Sequence, residues 1–201
     1  MRTTILALLM IAAACGKDAV TPDATAGHDS STAVDSSSTG DGPPSQLTCA
    51  NYCSTIATNC TAVATKQYAN TAECMATCSH FPVGALADTS GNTLGCHLYH
   101  AGNAMAAPTV HCIHAGPSGA GVCGASCEDF CALTTAICPT QYPALGSCMT
   151  SCGNFATTPA YSTAQMSGNT FSCRMYHATA ASTTPVPHCA HTAVTPTAPC
   201  T

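Results

Sequence analysis

A repeated stretch decides the fold: CHLYHA at residues 96–101 and PTVHCIH at residues 108–114 return as CRMYHA at residues 173–178 and PVPHCAH at residues 185–191. The wider segment 91–123 aligns with 168–200, and a proline, a tyrosine and three histidines recur in it. Self-similarity of this kind indicates a tandem duplication of one small module. We place module one at residues 47–124 and module two at residues 125–201.

The composition limits both partners and core size. Charged residues make up 6% of the 201-residue chain, compared with roughly 25% in ordinary soluble proteins. After residue 46 only Lys66 and Arg174 carry a fixed positive charge. A nucleic-acid partner is therefore excluded, because neutralising phosphates requires a basic surface. Large aliphatic side chains are scarce, so a module of about 75 residues needs cross-links in addition to its core.

Each module contains eight cysteines at matching positions. They follow the spacings C-x3-C-x6-C, C-x3-C and C-x15-C-x10-C, and the modules differ in length only between these blocks. In an exported chain this density favours four disulfide bridges per module. The seventeenth cysteine, Cys15, lies outside both modules.

Helical spacing of the cysteines predicts a mainly α fold of two tandem small disulfide-rich modules. Cys49, Cys53, Ile56 and Cys60 lie at i, i+4, i+7 and i+11, which is the apolar stripe of an amphipathic helix. Capping residues and prolines suggest where further helices begin. The predicted helices begin near Thr48, Asn70 and Thr93 in module one, and near Ser126, Cys148, Thr170 and Pro187 in module two. The third helix should end before Pro108 and Pro185, and a short helix around His111 and His114 is the counterpart of the one at Pro187.

The paired C-x3-C segments resemble the disulfide-stapled helical hairpins of α-hairpinins and twin-cysteine mitochondrial proteins. The resemblance covers the first two helices of each module and implies that bridges join antiparallel helices. The implied pairs are Cys49–Cys78, Cys53–Cys74, Cys127–Cys152 and Cys131–Cys148. Eight cysteines permit 105 connectivities, so the partners of the others stay open: Cys60, Cys96, Cys112, Cys123, Cys138, Cys173, Cys189 and Cys200.

The first 14 residues indicate an export signal. A short positive start, the apolar run Ile5–Ile11 and small residues precede Cys15, and the run is too short to span a bilayer. This pattern resembles the type II signal peptide of bacterial lipoproteins, which implies lipidation of Cys15 and attachment to a membrane, with Gly16 favouring the outer membrane. Ala12 replaces the leucine usual in that family, so an ordinary signal peptide cut near Ala14 is the alternative.

Residues 15–46 form the predicted linker. They are rich in Ser, Thr, Asp, Gly and Pro, and such a segment cannot bury enough apolar surface to offset the entropy of ordering it. We expect a disordered tether that holds the modules clear of the membrane.

The recurring histidines are candidate metal ligands. Cys96 and His100 lie at i and i+4 of the predicted third helix, so a buried cysteine implies an inward-facing histidine, whereas His97 and its counterpart Arg174 should face solvent. Three neutral imidazoles suit Zn²⁺ or Cu²⁺. The alternative is that the rings hydrogen-bond backbone carbonyls between the disulfides. The candidate ligands are His100, His111 and His114 in module one, and His177, His188 and His191 in module two.

Other chemistries have less support in the sequence. The C-x3-C stripes resemble copper-storage bundles in that spacing only, which would imply Cu(I) held by reduced thiols. Cys112 beside His111 could suggest a thiol nucleophile with its base, but the cysteine belongs to the repeated framework and no oxyanion loop accompanies it. Tyr99 and Tyr176 are predicted core aromatics.

The function expected from the sequence is a non-enzymatic, surface-exposed lipoprotein with a structural or binding role at the bacterial cell envelope. The chain resembles the cysteine-rich lipoproteins of that kind, and the resemblance implies no particular activity. We expect a lipid anchor in the membrane, an envelope or extracellular partner, and no cofactor. A protein with one Zn or Cu site per module is the alternative.

Overall fold

The mainly α fold is confirmed by the computed structural model, which describes residues 46–201. That range contains eight α-helices and no strand. The predicted export signal, Cys15 and all but the last residue of the predicted linker lie outside it. In chain order the elements are α1 (Cys49–Asn59), α2 (Thr71–Cys78), α3 (Leu94–Asn103), α4 (Pro108–Ala115), a 3₁₀ turn (Gly119–Gly121), α5 (Ser126–Ile137), α6 (Leu145–Cys152), α7 (Phe171–Ala181) and α8 (Pro185–Thr192).

The predicted caps are correct for α1 and displaced by one residue for α5. The Thr48 side chain accepts a hydrogen bond of 3.1 Å from the backbone N–H of Asn51. Ser126 is not a cap but the first residue of α5, and Ala125 precedes it as the N-cap. The Glu128 carboxylate takes over by accepting a 2.9 Å hydrogen bond from the Ala125 N–H, which satisfies one of the donors left open at a helix start.

All sixteen cysteines of residues 46–201 are joined in eight disulfide bridges. Four bridges join the same cysteines that the resemblance to helical hairpins implied, and they fasten α1 to α2 and α5 to α6. The other four, which the sequence left open, fasten α4 and α8 to the ends of α1 and α5, and α3 and α7 to the last cysteine of each module. They are Cys60–Cys112, Cys138–Cys189, Cys96–Cys123 and Cys173–Cys200.

The two modules have separate apolar cores and pack against each other. One core surrounds Tyr52 and the other surrounds Phe130, its counterpart in the repeat. Between the modules, the Thr163 N–H donates a 2.8 Å hydrogen bond to the Lys66 carbonyl. The Tyr161 hydroxyl donates to the Gln67 carbonyl at 3.0 Å. Residues 46–201 accordingly belong to one compact unit.

The prediction that His97 and Arg174 face solvent is wrong. His97 is 0% exposed and Arg174 is 1% exposed. The His97 ring stacks on Phe81 with ring centroids 4.0 Å apart, and the Arg174 guanidinium lies 4.1 Å from the centroid of the Phe155 ring. The segments that follow α2 and α6 supply these aromatic rings and cover a second face of α3 and α7, which the spacing of the cysteines did not reveal.

Candidate metal centre

Two adjacent helices in each module carry the recurring histidines. His100 lies on α3, one turn after Cys96, and His111 and His114 lie one turn apart on α4. The Pro108 ring suits the first turn of α4 because its missing N–H is not needed there. The corresponding helices of module two, α7 and α8, carry His177, His188 and His191. We call each set of three a histidine triad.

A disulfide and a tyrosine hydroxyl hold the second helix of each triad in place. In module one the Tyr52 hydroxyl donates a 2.6 Å hydrogen bond to the Ala115 carbonyl at the end of α4. Phe130 replaces Tyr52 in module two and has no hydroxyl, and there Tyr142 donates a 2.7 Å bond to the corresponding carbonyl of Thr192. The equivalent carbonyl in each module therefore accepts a hydrogen bond from a tyrosine hydroxyl, but the tyrosine occupies a different position in the repeat.

The structure brings the three predicted ligands of module one together. The Nδ1 atoms of His100 and His111 are 2.8 Å apart. The ring centroids of His100 and His114 are 5.0 Å apart, and the buried Nδ1 of His114 has no hydrogen-bond partner. One ligand nitrogen from each ring lies within 4.8 Å of the other two.

Module two repeats this geometry. The Nδ1 atom of His177 lies 2.8 Å from that of His188 and 3.2 Å from that of His191. The three ligand nitrogens again lie within 4.8 Å of one another. In both triads the histidine on the first helix is buried, with His100 7% and His177 5% exposed, and the other two rings are half-buried. Each triad is thus open to solvent on one side.

Backbone carbonyls fix the orientation and the tautomer of the buried ring. The Nε2 atom of His100 lies 3.2 Å from the Thr89 carbonyl, and that of His177 lies 3.3 Å from the Met166 carbonyl. A carbonyl only accepts, so Nε2 carries the proton and the Nδ1 lone pair faces the other two rings. Hydrogen bonds of this kind commonly orient metal-binding histidines.

The environment favours the neutral form of five of the six triad rings. These five rings have a pKa below the ordinary value for histidine, and burial is the main cause. Burial lowers the pKa of His177 to about 4, and the neighbouring His191 adds to this effect. Metal ions bind neutral imidazole, so a lowered pKa reduces the competition from protons at those rings. The other four rings with a lowered pKa are His100, His114, His188 and His191.

The donor set fits Zn²⁺ or Cu²⁺ with a small adjustment. Metal–nitrogen bonds of about 2.0 Å in a tetrahedral arrangement place ligand nitrogens about 3.3 Å apart. The observed separation of 3.2 Å between His177 and His191 already matches, and the 2.8 Å separations would need to widen by about 0.5 Å. Half-buried rings on the second helix can supply that shift by rotating. A fourth coordination position remains on the open side.

The structure contradicts the alternative of Cu(I) held by reduced C-x3-C thiols. Every cysteine in residues 46–201 is in a bridge, and a disulfide sulfur is not the thiolate that Cu(I) prefers. Cys96 and Cys123 lie within 4.8 Å of a nitrogen of His100, but they are bonded to each other. The same bonding state removes the nucleophile suggested by Cys112 beside His111.

The two recurring tyrosines border the triads, and Tyr176 also packs against a core. Tyr99 is 41% exposed, which corrects the prediction that it is a core aromatic, whereas Tyr176 is half-buried and packs against the core around Phe130. Their ring centroids lie 5.1 Å from His100 and 5.0 Å from His177, respectively, in edge-to-face geometry. They therefore form part of the wall around each buried ligand.

The sequence analysis expected backbone carbonyls as partners of these rings but could not identify those of Thr89 and Met166. Each lies 11 residues before the histidine it contacts, so the spacing recurs although the side chains differ. The only available signal was that both residues fall in the segment between the second and third helix. Every residue has a backbone carbonyl, so the amino-acid sequence does not indicate which carbonyl contacts a given histidine.

No helix within residues 46–201 has the length and apolar character required to cross a bilayer. The eight disulfides are typical of an exported protein folded in an oxidising compartment.

Comparison with protein families identifies a relationship for the first half of the chain. The family model for the BfoA family C-terminal domain matches residues 24–126, slightly more than half of the 201-residue chain. The match covers module one with its triad and ends where α5 begins. No curated protein and no solved structure matches. By this match, the chain belongs to the BfoA family.

Proposed function

We propose that this protein is an exported, non-enzymatic binding protein of the cell envelope that holds one Zn²⁺ or Cu²⁺ ion at each histidine triad. The observation that carries the proposal is the convergence of three imidazole nitrogens within 4.8 Å of one another, present twice. In module one the Nδ1 atom of His114 is buried without a hydrogen-bond partner. A purely structural histidine would be expected to find one, because a buried polar atom without a partner destabilises the fold.

Proton counting supports the same proposal. Within the module two triad, the Nδ1 atom of His177 has a single lone pair, yet it faces the Nδ1 atoms of both His188 and His191. Two N–H groups can share that lone pair only in a weakened, three-centre arrangement. A metal ion would satisfy all three nitrogens at once through their lone pairs.

The proposed location combines the cysteine count with the signal sequence. The sixteen cysteines of residues 46–201 pair among themselves, so none of them is needed as a partner for Cys15. Lipidation of Cys15 would then anchor the protein in the outer membrane. This proposal rests on the resemblance of the N-terminal residues to a lipoprotein signal peptide. Replacing Cys15 with Ser should release the protein from the membrane fraction, and continued membrane association of that variant would contradict the anchor.

The metal experiment uses the mature, oxidised full chain titrated with Zn²⁺ or Cu²⁺ alone and followed by calorimetry and native mass spectrometry. We expect two ions per chain. His111→Ala and His188→Ala should each leave one ion, and the double variant should bind none. His80→Ala is the matched control, because this exposed histidine lies outside both triads and its loss should leave two ions bound.

A stability measurement checks the same binding independently. An ion present at 100 times its Kd should stabilise the native state by about 2.7 kcal/mol per site, so the melting temperature should rise with metal and fall again with a chelator. An unchanged melting temperature together with zero ions per chain would leave the triads with a structural role only.

A further inference from the structure

A buried carboxylate at the junction of the two modules has the Asn92 side chain as its polar neighbour. Asp129 lies in the first turns of α5 and is 4% exposed. Neither of its carboxylate oxygens forms a hydrogen bond with residues 46–201. A buried, unpaired carboxylate strongly destabilises a fold, so this group requires a physical explanation that the histidine triads do not supply.

Further oxygen atoms surround this carboxylate. A methyl group built on Gly124 would lie 2.9 Å from Asp129 Oδ2 and 3.1 Å from Asn92 Cγ, and one on Gly119 would lie 2.8 Å from Asp129 Oδ2 and 3.0 Å from the Gly124 carbonyl oxygen. Only glycine fits at either position. The Oδ1 atom of Asn92 is also buried without a hydrogen-bond partner. The Asn92 side chain and the Gly124 carbonyl oxygen therefore both lie in the immediate neighbourhood of Asp129 Oδ2.

The described part of the chain offers no protein cation to Asp129. Its two fixed positive charges are Lys66 and Arg174. Lys66 is exposed, and the Arg174 guanidinium donates its hydrogen bonds to backbone carbonyls and to Asn169. Burial raises the pKa of Asp129 to about 8, and the charge of Glu128 adds to the rise, whereas the Asn92 amide opposes it.

We propose that a hard divalent cation, Ca²⁺, binds at this position. Its protein ligands would be the Asp129 carboxylate, the Asn92 side-chain oxygen and the Gly124 carbonyl oxygen. Ca²⁺ prefers carboxylate, amide and backbone oxygens and completes its shell with water. The absence of nitrogen and sulfur donors separates this site from the triads, which suit softer ions. The cation would join a loop of module one to the first helix of module two.

The test is a calorimetric titration of the mature full chain with Ca²⁺, in buffer stripped of divalent ions at pH 7.5, together with its melting temperature. We expect one Ca²⁺ per chain and a saturable rise in melting temperature. Asp129→Asn should abolish both, and Asn92→Ala should weaken binding at least tenfold. Asp88→Asn is the matched control, because that carboxylate already accepts hydrogen bonds from Ala85 and Thr93.

Distinct results would overturn the proposal. If the unaltered chain shows no heat of binding and no change in melting temperature at 10 mM Ca²⁺, the proposal is overturned. This result does not depend on whether the variants fold. Equal loss of binding in Asp88→Asn would also overturn the proposal. If Asp129→Asn is more stable than the unaltered chain and neither binds Ca²⁺, Asp129 is a protonated acid paired with Asn92. The variant lacking both His111 and His188 should still bind Ca²⁺, which keeps this test separate from that of the triads.

Discussion

Acidification should unfold this protein in part through one buried histidine, His97. Its ring stacks on Phe81, its Nδ1 lies 3.2 Å from the Ala115 carbonyl, and its Nε2 has no partner. Protonation would place a positive charge on that unpartnered nitrogen. Burial is the main reason that the pKa of His97 is lowered from 6.5 to about 4.

The sign and size of the effect follow from proton linkage. The unfolded chain binds this proton near pH 6.5, but the native state resists it until about pH 4. Stability is therefore complete above pH 6.5 and falls as the pH drops towards 4. With about 1.4 kcal/mol for each pH unit, the loss from His97 alone reaches about 3 kcal/mol at pH 4.

The assay compares guanidinium unfolding of the oxidised protein and of His97→Gln at pH 7 and pH 4, with a chelator present. Glutamine keeps a donor for the Ala115 carbonyl but does not titrate. The variant should lose about 3 kcal/mol less than the parent over this range. Asp129 has a raised pKa and contributes with the opposite sign, but it is present in both proteins, so the difference isolates His97.

Equal acid losses in the two proteins would refute this reasoning. A variant that fails to fold leaves a second measurement, the NMR titration of the His97 ring in the native parent protein. We expect a midpoint near 4. A midpoint near 6.5 would show that the ring is hydrated and that its burial does not control its charge.

Two further predictions concern stability, each with a control in the same module. Gly124→Ala should destabilise the fold by at least about 1–3 kcal/mol, because its φ is +100° and the new methyl group would collide with Asp129. The control is Gly102→Ala, where nothing lies within 4 Å of the new methyl group, and it should stabilise the fold by up to about 1 kcal/mol. Tyr142→Phe should cost about 1–2 kcal/mol, because it removes the buried hydrogen bond to the Thr192 carbonyl. The Tyr176→Phe control, at a half-buried ring, should be near neutral, and thermal unfolding measures all four variants.

Much of the fold was predictable because cysteines carry two kinds of information. Their spacing at i and i+4 indicates helices, and their duplication with unequal gaps shows which segments are loops. The hairpin resemblance named four bridges. Spacing could not pair Cys60 with Cys112, because those residues lie 52 positions apart and meet only once α4 has folded back onto α1.

The errors share one physical cause, which is that the interior of each module is assembled from segments without periodicity. His97 and Arg174 were expected in solvent because they follow a buried cysteine by one position. Phe81 and Phe155, in irregular segments after α2 and α6, cover them. Asp129 escaped notice for the same reason, since glycines and Asn92 from module one surround it.

The duplication provides an internal comparison that separates what the fold needs from what a ligand would need. The carbonyls of Ala115 and Thr192 are satisfied by hydroxyls from different ring positions, so the fold keeps the hydrogen bond while the residues change. The buried position that follows the third-helix cysteine holds histidine in one module and arginine in the other.

The triads behave differently from the cores around them. Both keep three imidazoles, and both place two Nδ1 atoms 2.8 Å apart. A fold requires no such contact, since an apolar side chain of similar size would fill the space without leaving the His114 nitrogen unpaired. This arrangement is present twice with the same geometry while the surrounding core varies, and it supports our proposal that a ligand engages all three nitrogens.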